Sequence, residues 1–164
     1  MLEKLQPAPM FRAMNQNNQL VSLHDFAGEK NIVLYFYPKD DTPGCTIEAN
    51  EFTQLADEFA KLDTVVVGVS KDTCQCHADF VKKYGLKVEL LADTKGEMCV
   101  NYGVWREREK NGVKGMHILR STFIIDKEGI LQDVAYGVTP EGHAQEILDK
   151  LKNPQPEEEE TAAE

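Results

Sequence analysis

No stretch of this sequence approaches the roughly 18 consecutive apolar residues of a membrane-crossing helix. Nor does Met1-Leu2-Glu3-Lys4-Leu5-Gln6-Pro7 show a basic region leading into an apolar run. A membrane span and a secretory leader are therefore not expected, and the expected compartment is the cytoplasm. No internal repeat is evident. Positive charge is in short supply: 18 Lys and Arg against 28 Asp and Glu give a formal net charge of −10. That balance neutralises no phosphates and attracts no acidic lipid, so nucleic acid and membrane are not expected partners. Half of the net charge comes from Glu157, Glu158, Glu159, Glu160 and Glu164 at the end of the sequence.

Cysteine is sparse as well, with only Cys45, Cys74, Cys76 and Cys99. A disulfide framework suits a short secreted chain. This one has 164 residues, 41% of them hydrophobic, enough for one domain to bury its core without staples. In a reducing compartment the four thiols are expected to be free, and they divide into reactive and buried ones by exposure and local charge.

What is present reads as an α/β domain over residues 1–152. Phe11 to Leu23 carries two short extended runs around Asn15-Gln16-Asn17-Asn18, a β-hairpin signal. Asn31 to Tyr37 is a nearly continuous apolar run, as expected of a strand covered on both faces. From Cys45 to Leu62 the residues Ala49, Phe52, Leu55, Ala56, Phe59 and Leu62 recur at helical spacing. Thr64 to Val69 gives a second buried strand, Thr73 to Tyr84 a helix stopped by Gly85, and Val88 to Leu91 a third strand. A short helix is expected near Met98 to Tyr102, and a solvated loop over the charged Arg106 to Gly112. Ser121–Asp126 and Ile130–Tyr136 flank a hairpin turn, and a last helix is expected from Pro140, capped by Thr139, to Leu151. This order argues for a mixed central sheet flanked by helices, compatible with a thioredoxin-like fold. Residues 153–164, with Pro154, Pro156 and the glutamate run, are expected to form an acidic disordered tail.

The chemistry concentrates at Thr42-Pro43-Gly44-Cys45, between a buried strand and an amphipathic helix. Thr42 reads as N-cap, Pro43 as the first helical residue and Cys45 as the third. The sulfur then lies in the first turn, which is usually partly exposed. Unpaired amides and the positive end of the helix dipole favour an anion there, raising the thiolate fraction at neutral pH. The carboxyl end of a strand is also where α/β sheets open a crevice.

Tyr35-Phe36-Tyr37-Pro38-Lys39-Asp40-Asp41-Thr42-Pro43-Gly44-Cys45-Thr46 resembles the active-site motif of the peroxiredoxins, in their bacterioferritin comigratory protein (PrxQ) branch. The resemblance extends through Gly68-Val69-Ser70-Lys71-Asp72, Gly103-Val104-Trp105 and Arg120 to Asp126, and so over about residues 5–151. It implies a cofactor-free thiol peroxidase that reduces hydrogen peroxide and organic hydroperoxides. Electrons would return from thioredoxin or a similar thiol reductant, and the chain would be a monomer or weak homodimer. It also implies Cys45 as peroxidatic nucleophile, Thr42 as hydrogen-bonding the peroxide and thiolate, Pro38 as shielding the site and Arg120 as supplying positive charge. Each role has a reason: attack leaves negative charge on the departing oxygen, which a fixed cation and oriented donors stabilise where water is excluded.

A sulfenic acid formed at Cys45 can condense with a second thiol. Relatives of this kind carry that thiol five residues on, where this chain has Asn50, or in the following helix at a position aligned near Val81. Cys74 and Cys76, at the start of that helix, are the candidates. Cys74 is favoured because it shares a face with Val81, and an external thiol is the alternative. Cys99 reads as core and His77 as a solvated helix residue. A zinc site from Cys74, Cys76, His77 and Cys99 is disfavoured by the single residue between the first two cysteines. A thioredoxin-like disulfide reductase lacks its second cysteine, because Thr42 occupies that position. A redox sensor acting through Cys45 would use the same thiolate and differ only in turnover.

Overall fold

The computed structural model describes residues 1–153. The expected acidic tail therefore lies, from Pro154 onward, outside the described residues. Nine strands are described: β1 (Arg12–Asn15), β2 (Leu20–Ser22), β3 (Asn31–Phe36), β4 (Thr64–Ser70), β5 (Glu89–Ala92), β6 (Trp105–Lys110), β7 (Val113–Ile118), β8 (Ser121–Ile125) and β9 (Leu131–Tyr136). The helices are α1 (Pro43–Gln54), α2 (Ala56–Lys61), α3 (Cys74–Tyr84), α4 (Glu97–Asn101) and α5 (His143–Lys152). Seven strands form one mixed sheet in the order β2-β1-β5-β4-β3-β8-β9. β3, β4 and β5 run parallel at its centre, with β8 and β1 antiparallel beside them. The N-terminal hairpin thus joins the main sheet through β1.

β3 shows why its sequence is apolar throughout. Ile32, Leu34 and Phe36 point into one core with Val67, Val69 and the α4 residues Met98 and Cys99, with Tyr102 just beyond that helix. Val33, Tyr35 and Tyr37 point into the other, with Ala49, Phe52, Phe59, Phe80 and Ile147 from α1, α2, α3 and α5. A strand buried on both faces has no solvent side to alternate with. Because β3 and β4 are parallel and adjacent, the loops leaving their carboxyl ends, one into α1 and one into α3, meet at one edge of the sheet.

Three expectations need correction. The charged stretch after Trp105 is not a loop: β6 and β7 form a separate two-stranded hairpin. Asn111 (φ 53°) and Gly112 (φ 79°) turn it, both in the left-handed region that a tight hairpin turn requires. The helix expected over Cys45–Leu62 breaks at Leu55 (φ −99°, ψ 8°) into α1 and α2. Phe52 and Phe59 still contact at 5.9 Å across the break, so the apolar period survives it. The last helix begins at His143 rather than Pro140, because Gly142 (φ 79°) turns the chain out of helical geometry first. The stop of α3 at Gly85 (φ 64°) is as expected, its N–H bonding back to the Val81 carbonyl.

Gly68 on β4 has no room for a side chain. A Cβ there would lie 2.7 Å from Tyr35 Cζ and 2.9 Å from Leu90 Cδ2. Gly68→Ala is expected to destabilise the protein by about 1–3 kcal/mol, measured as a lower midpoint in urea. An unchanged midpoint would mean that the β3–β4 face is not packed as described.

Candidate active site

The first turn of α1 is built as the sequence indicates, with one difference. Thr42 occupies the N-cap position in extended geometry (φ −96°, ψ 158°), Pro43 follows as the first helical residue, and Cys45 is third. The Thr42 hydroxyl does not cap the helix; it donates to the Lys39 carbonyl at 2.8 Å, closing the preceding loop. The first-turn amides receive no bond from that side chain, and the positive end of the helix stays available to an anion.

Arg120, immediately before β8, reaches this turn. Its Nη2 lies 3.4 Å from Cys45 Sγ, and its Nη1 donates to Glu48 Oε1 at 2.7 Å. The Arg120 and Glu48 side chains are 15% and 0% exposed, so a guanidinium and a carboxylate meet almost out of water. Burial pushes the Glu48 carboxyl up to about 7, although Arg120 pulls it down. Glu48 Oε2 and the Tyr35 hydroxyl are buried without a hydrogen-bond partner among the described residues. Burial, then neighbouring Glu48 and Cys45, push Tyr35 far up, so it stays a neutral phenol. Burial opposes the Arg120 charge, but interactions with Glu48 and Cys45 outweigh that, raising its pKa and keeping the guanidinium charged.

Cys45 itself is only 1% exposed, contrary to the expectation of a partly open first turn. At the preceding Gly44, a Cβ would meet Arg120 Nη2 at 3.1 Å and Pro140 Cγ at 3.3 Å, so both residues pack against the start of this turn. Pro38 is exposed just beyond β3. Cys74 is half-buried and Cys76 exposed in the first turn of α3, and all four cysteines are free thiols. Cys99 is core, as expected: burial and neighbouring Asp93 push its thiol far up and leave it inert.

His77 corrects the sequence reading most. It is not solvated but fully buried, with Nδ1 2.7 Å from Asp40 Oδ2 and Nε2 2.9 Å from the Leu91 carbonyl. It is thus turned away from a set with Cys74, Cys76 and Cys99. The ligand atoms of Asp40, Asp72 and His77 lie within 4.8 Å of one another, the geometry of a potential metal cluster. Each already has protein partners: Asp40 accepts from Tyr37 and bonds His77, and Asp72 Oδ2 accepts from Ser70 and the Asp40 amide. A groove of about 920 Å³ runs along β1, β2 and α4 past Met10, Met14, Leu20 and Met98, and Cys45, Cys74, Arg120 and His77 do not line it.

The AhpC/TSA family profile matches residues 5–134. The chain belongs to the AhpC/TSA family. Within this family its similarity is to the peroxiredoxins: it is 45% identical over 150 residues to a peroxiredoxin bcp of Helicobacter pylori strain J99, covering 92% of this chain and 98% of the relative. It is 42% identical over 148 residues to peroxiredoxin Bcp of Bacillus subtilis, covering 90% and 94%. A solved structure of the Xanthomonas campestris bacterioferritin comigratory protein, described for its alkyl peroxide reduction activity, matches with TM-score 0.83 and 33% identity over 87% of this chain and 90% of that one. As a peroxiredoxin of this family, the chain is a thiol peroxidase with a thioredoxin-like fold.

Glu48, Asp40 and His77 were not singled out as site residues by the sequence. The available signal for Glu48 was a carboxylate on the apolar stripe Cys45, Ala49, Phe52, where an unpaired charge is costly. For His77 it was a position one turn before Phe80 and Val81 on the buried face of α3.

A raised carboxyl has a definite consequence for stability. Glu48 titrates near 7 in the fold against an ordinary value of 4.5. Its contribution is therefore fully present below 4.5 and lost as pH rises through about 7, a tenfold difference in proton affinity being worth about 1.4 kcal/mol. Glu48→Gln is expected to flatten the fall in stability between about pH 5 and pH 8, read by urea denaturation at each pH. Parallel curves for parent and variant would show that Glu48 is ionised throughout.

Proposed function

We propose that Cys45 is the nucleophile with which the chain reduces hydrogen peroxide and small organic hydroperoxides. The observation that carries this reading is the Arg120 guanidinium, fixed by Glu48 and 3.4 Å from the Cys45 sulfur. The thiolate attacks one peroxide oxygen; an S–O bond forms, the O–O bond breaks, and the other oxygen leaves as hydroxide or alkoxide and takes up a proton. Arg120 keeps its charge at any relevant pH, favours the thiolate beforehand and stabilises the leaving oxygen afterwards. Thr42, whose hydroxyl closes the loop onto Lys39, turns to the peroxide when substrate is bound, and Pro38 shields the occupied site.

With Cys45 only 1% exposed, the residues around it must shift to admit a peroxide. Closure around the reacting atoms strengthens the electrostatics within. The resulting sulfenic acid is resolved by Cys74, or by Cys76 or an external thiol, and electrons return from thioredoxin or a similar reductant. Half-buried Cys74 falls seven residues before Val81 and so on the same helix face, whereas Cys76 is exposed, which favours Cys74. We place the enzyme in the cytoplasm as a monomer or weak homodimer. No helix among the described residues is long and apolar enough to cross a membrane.

Cys45→Ser is expected to abolish thioredoxin-supported peroxide consumption. Arg120→Met should slow oxidation of Cys45 by about 100-fold or more, the loss of roughly 3 kcal/mol of charge stabilisation. Stopped-flow peroxide kinetics measure both, and an Arg120→Met rate within a few-fold of the parent contradicts the role given to the guanidinium.

A further inference from the structure

The buried polar cluster around His77 takes no part in the reaction just described, yet it joins the two segments that the reaction must bring together. Asp40 belongs to the loop that delivers Cys45. His77 sits on α3, three residues after Cys74 and therefore on neighbouring turns of one helix side. The Leu91 carbonyl can only accept, so His77 Nε2 donates to it, and Nδ1 shares its hydrogen bond with Asp40. Asp40 is held further by the Tyr37 hydroxyl at 2.6 Å, and its amide donates to Asp72 at 2.8 Å. Asp72 also accepts from Ser70 Oγ at 2.6 Å, which anchors that arm to the end of β4.

A second fastening lies outside. Asp41 accepts from Lys83 Nζ at 2.8 Å and from the Tyr84 hydroxyl at 2.6 Å, at the far end of α3. Asp41 adopts φ 61°, a left-handed conformation that a side chain enters only at some cost, and these bonds fix it there. Adjacent loop residues thus grip α3 at two points, one buried and one exposed. A Cys45–Cys74 disulfide needs Cα atoms about 4.4–6.8 Å apart, and any movement of α3 relative to the Cys45 loop to reach that geometry works against these bonds.

We propose that Asp40–His77, with Asp41–Lys83/Tyr84 as its outer arm, is a clasp that positions the Cys45 loop for attack on peroxide and sets how readily α3 releases Cys74 for the second step. This rests on the reading of Cys45 as nucleophile and Cys74 as resolving thiol. In that step the Cys74 sulfur attacks the Cys45 sulfenic acid. An S–S bond forms, the S–O bond breaks, and the hydroxide leaves with the Cys74 proton as water, the oxidising equivalents having come from the peroxide. His77 and Asp40 are positioning residues, and they move the two steps in opposite directions.

The test measures the steps separately in His77→Asn and Lys83→Met. With Cys74 and Cys76 replaced by serine, His77→Asn is expected to slow oxidation of Cys45 about 10-fold through loss of alignment. In the chain with its native cysteines, disulfide formation should speed up several-fold, and less Cys45 should reach sulfinic acid at high peroxide, as read by acid quench and peptide mass mapping. Lys83→Met, at an exposed position, should give the same two signs at smaller size, and it decides the matter where His77→Asn does not fold. Parallel loss of both rates, or no change in either, overturns the clasp. Absence of a Cys45–Cys74 disulfide in the parent overturns the resolver reading instead, and the Cys45 oxidation rate alone then judges the clasp, an unchanged rate rejecting it.

Discussion

The site depends on a guanidinium held between a carboxylate and a sulfur in a nearly dry part of the protein. Burying Arg120 and Glu48 separately would cost several kcal/mol each, and together their attraction and hydrogen bond offset much of that cost. The offset is incomplete: Glu48 Oε2 finds no partner among the described residues, and burial raises the carboxyl to about 7. A fold maintains such an arrangement only where its packing over-determines it. Here the aromatic stack of Tyr35 on Phe52, with ring centroids 4.8 Å apart, lines the same side of the sheet as Cys45 and Ala49.

The sheet supplies the geometry. Parallel β3 and β4 deliver their following loops to one edge, and antiparallel β8 brings Arg120 to that edge from the opposite chain direction. Three segments distant in sequence therefore meet at one edge of the sheet, Arg120 reaching the Cys45 sulfur and the β4–α3 loop reaching Asp40. The same topology places α3 beside the Cys45 loop, which is why Asp40 can reach His77 and Asp41 can reach Lys83.

Much of this was legible in the sequence, and the exceptions have identifiable physical causes. The apolar run of β3, the spacing of α1 and the stop at Gly85 each follow from local rules, and Thr42, Pro43 and Cys45 fall where helix-start chemistry puts them. The β6–β7 hairpin was obscured by its charges, although Asn111-Gly112 is a strong turn signal; a strand exposed on both faces carries no apolar alternation to reveal it. His77 and Glu48 escaped because polar residues on a helix are read by default as solvated, and only tertiary packing reveals which are buried with partners. The closure of Cys45 was invisible for a similar reason: it depends on tertiary neighbours such as Arg120, far removed in sequence.

Local chemistry, not exposure, decides which sulfur reacts. Cys76 is open to solvent and Cys45 is 1% exposed, so accessibility alone would rank them in the reverse order. Peptide mass mapping after treatment of the reduced protein with less than one equivalent of hydrogen peroxide tests this directly, with sulfenic acid trapped as it forms. Trapped oxidation is expected at Cys45 while Cys76 remains a thiol in the chains not yet resolved. Label appearing first at Cys76 or Cys74, with Cys45 intact, would contradict it.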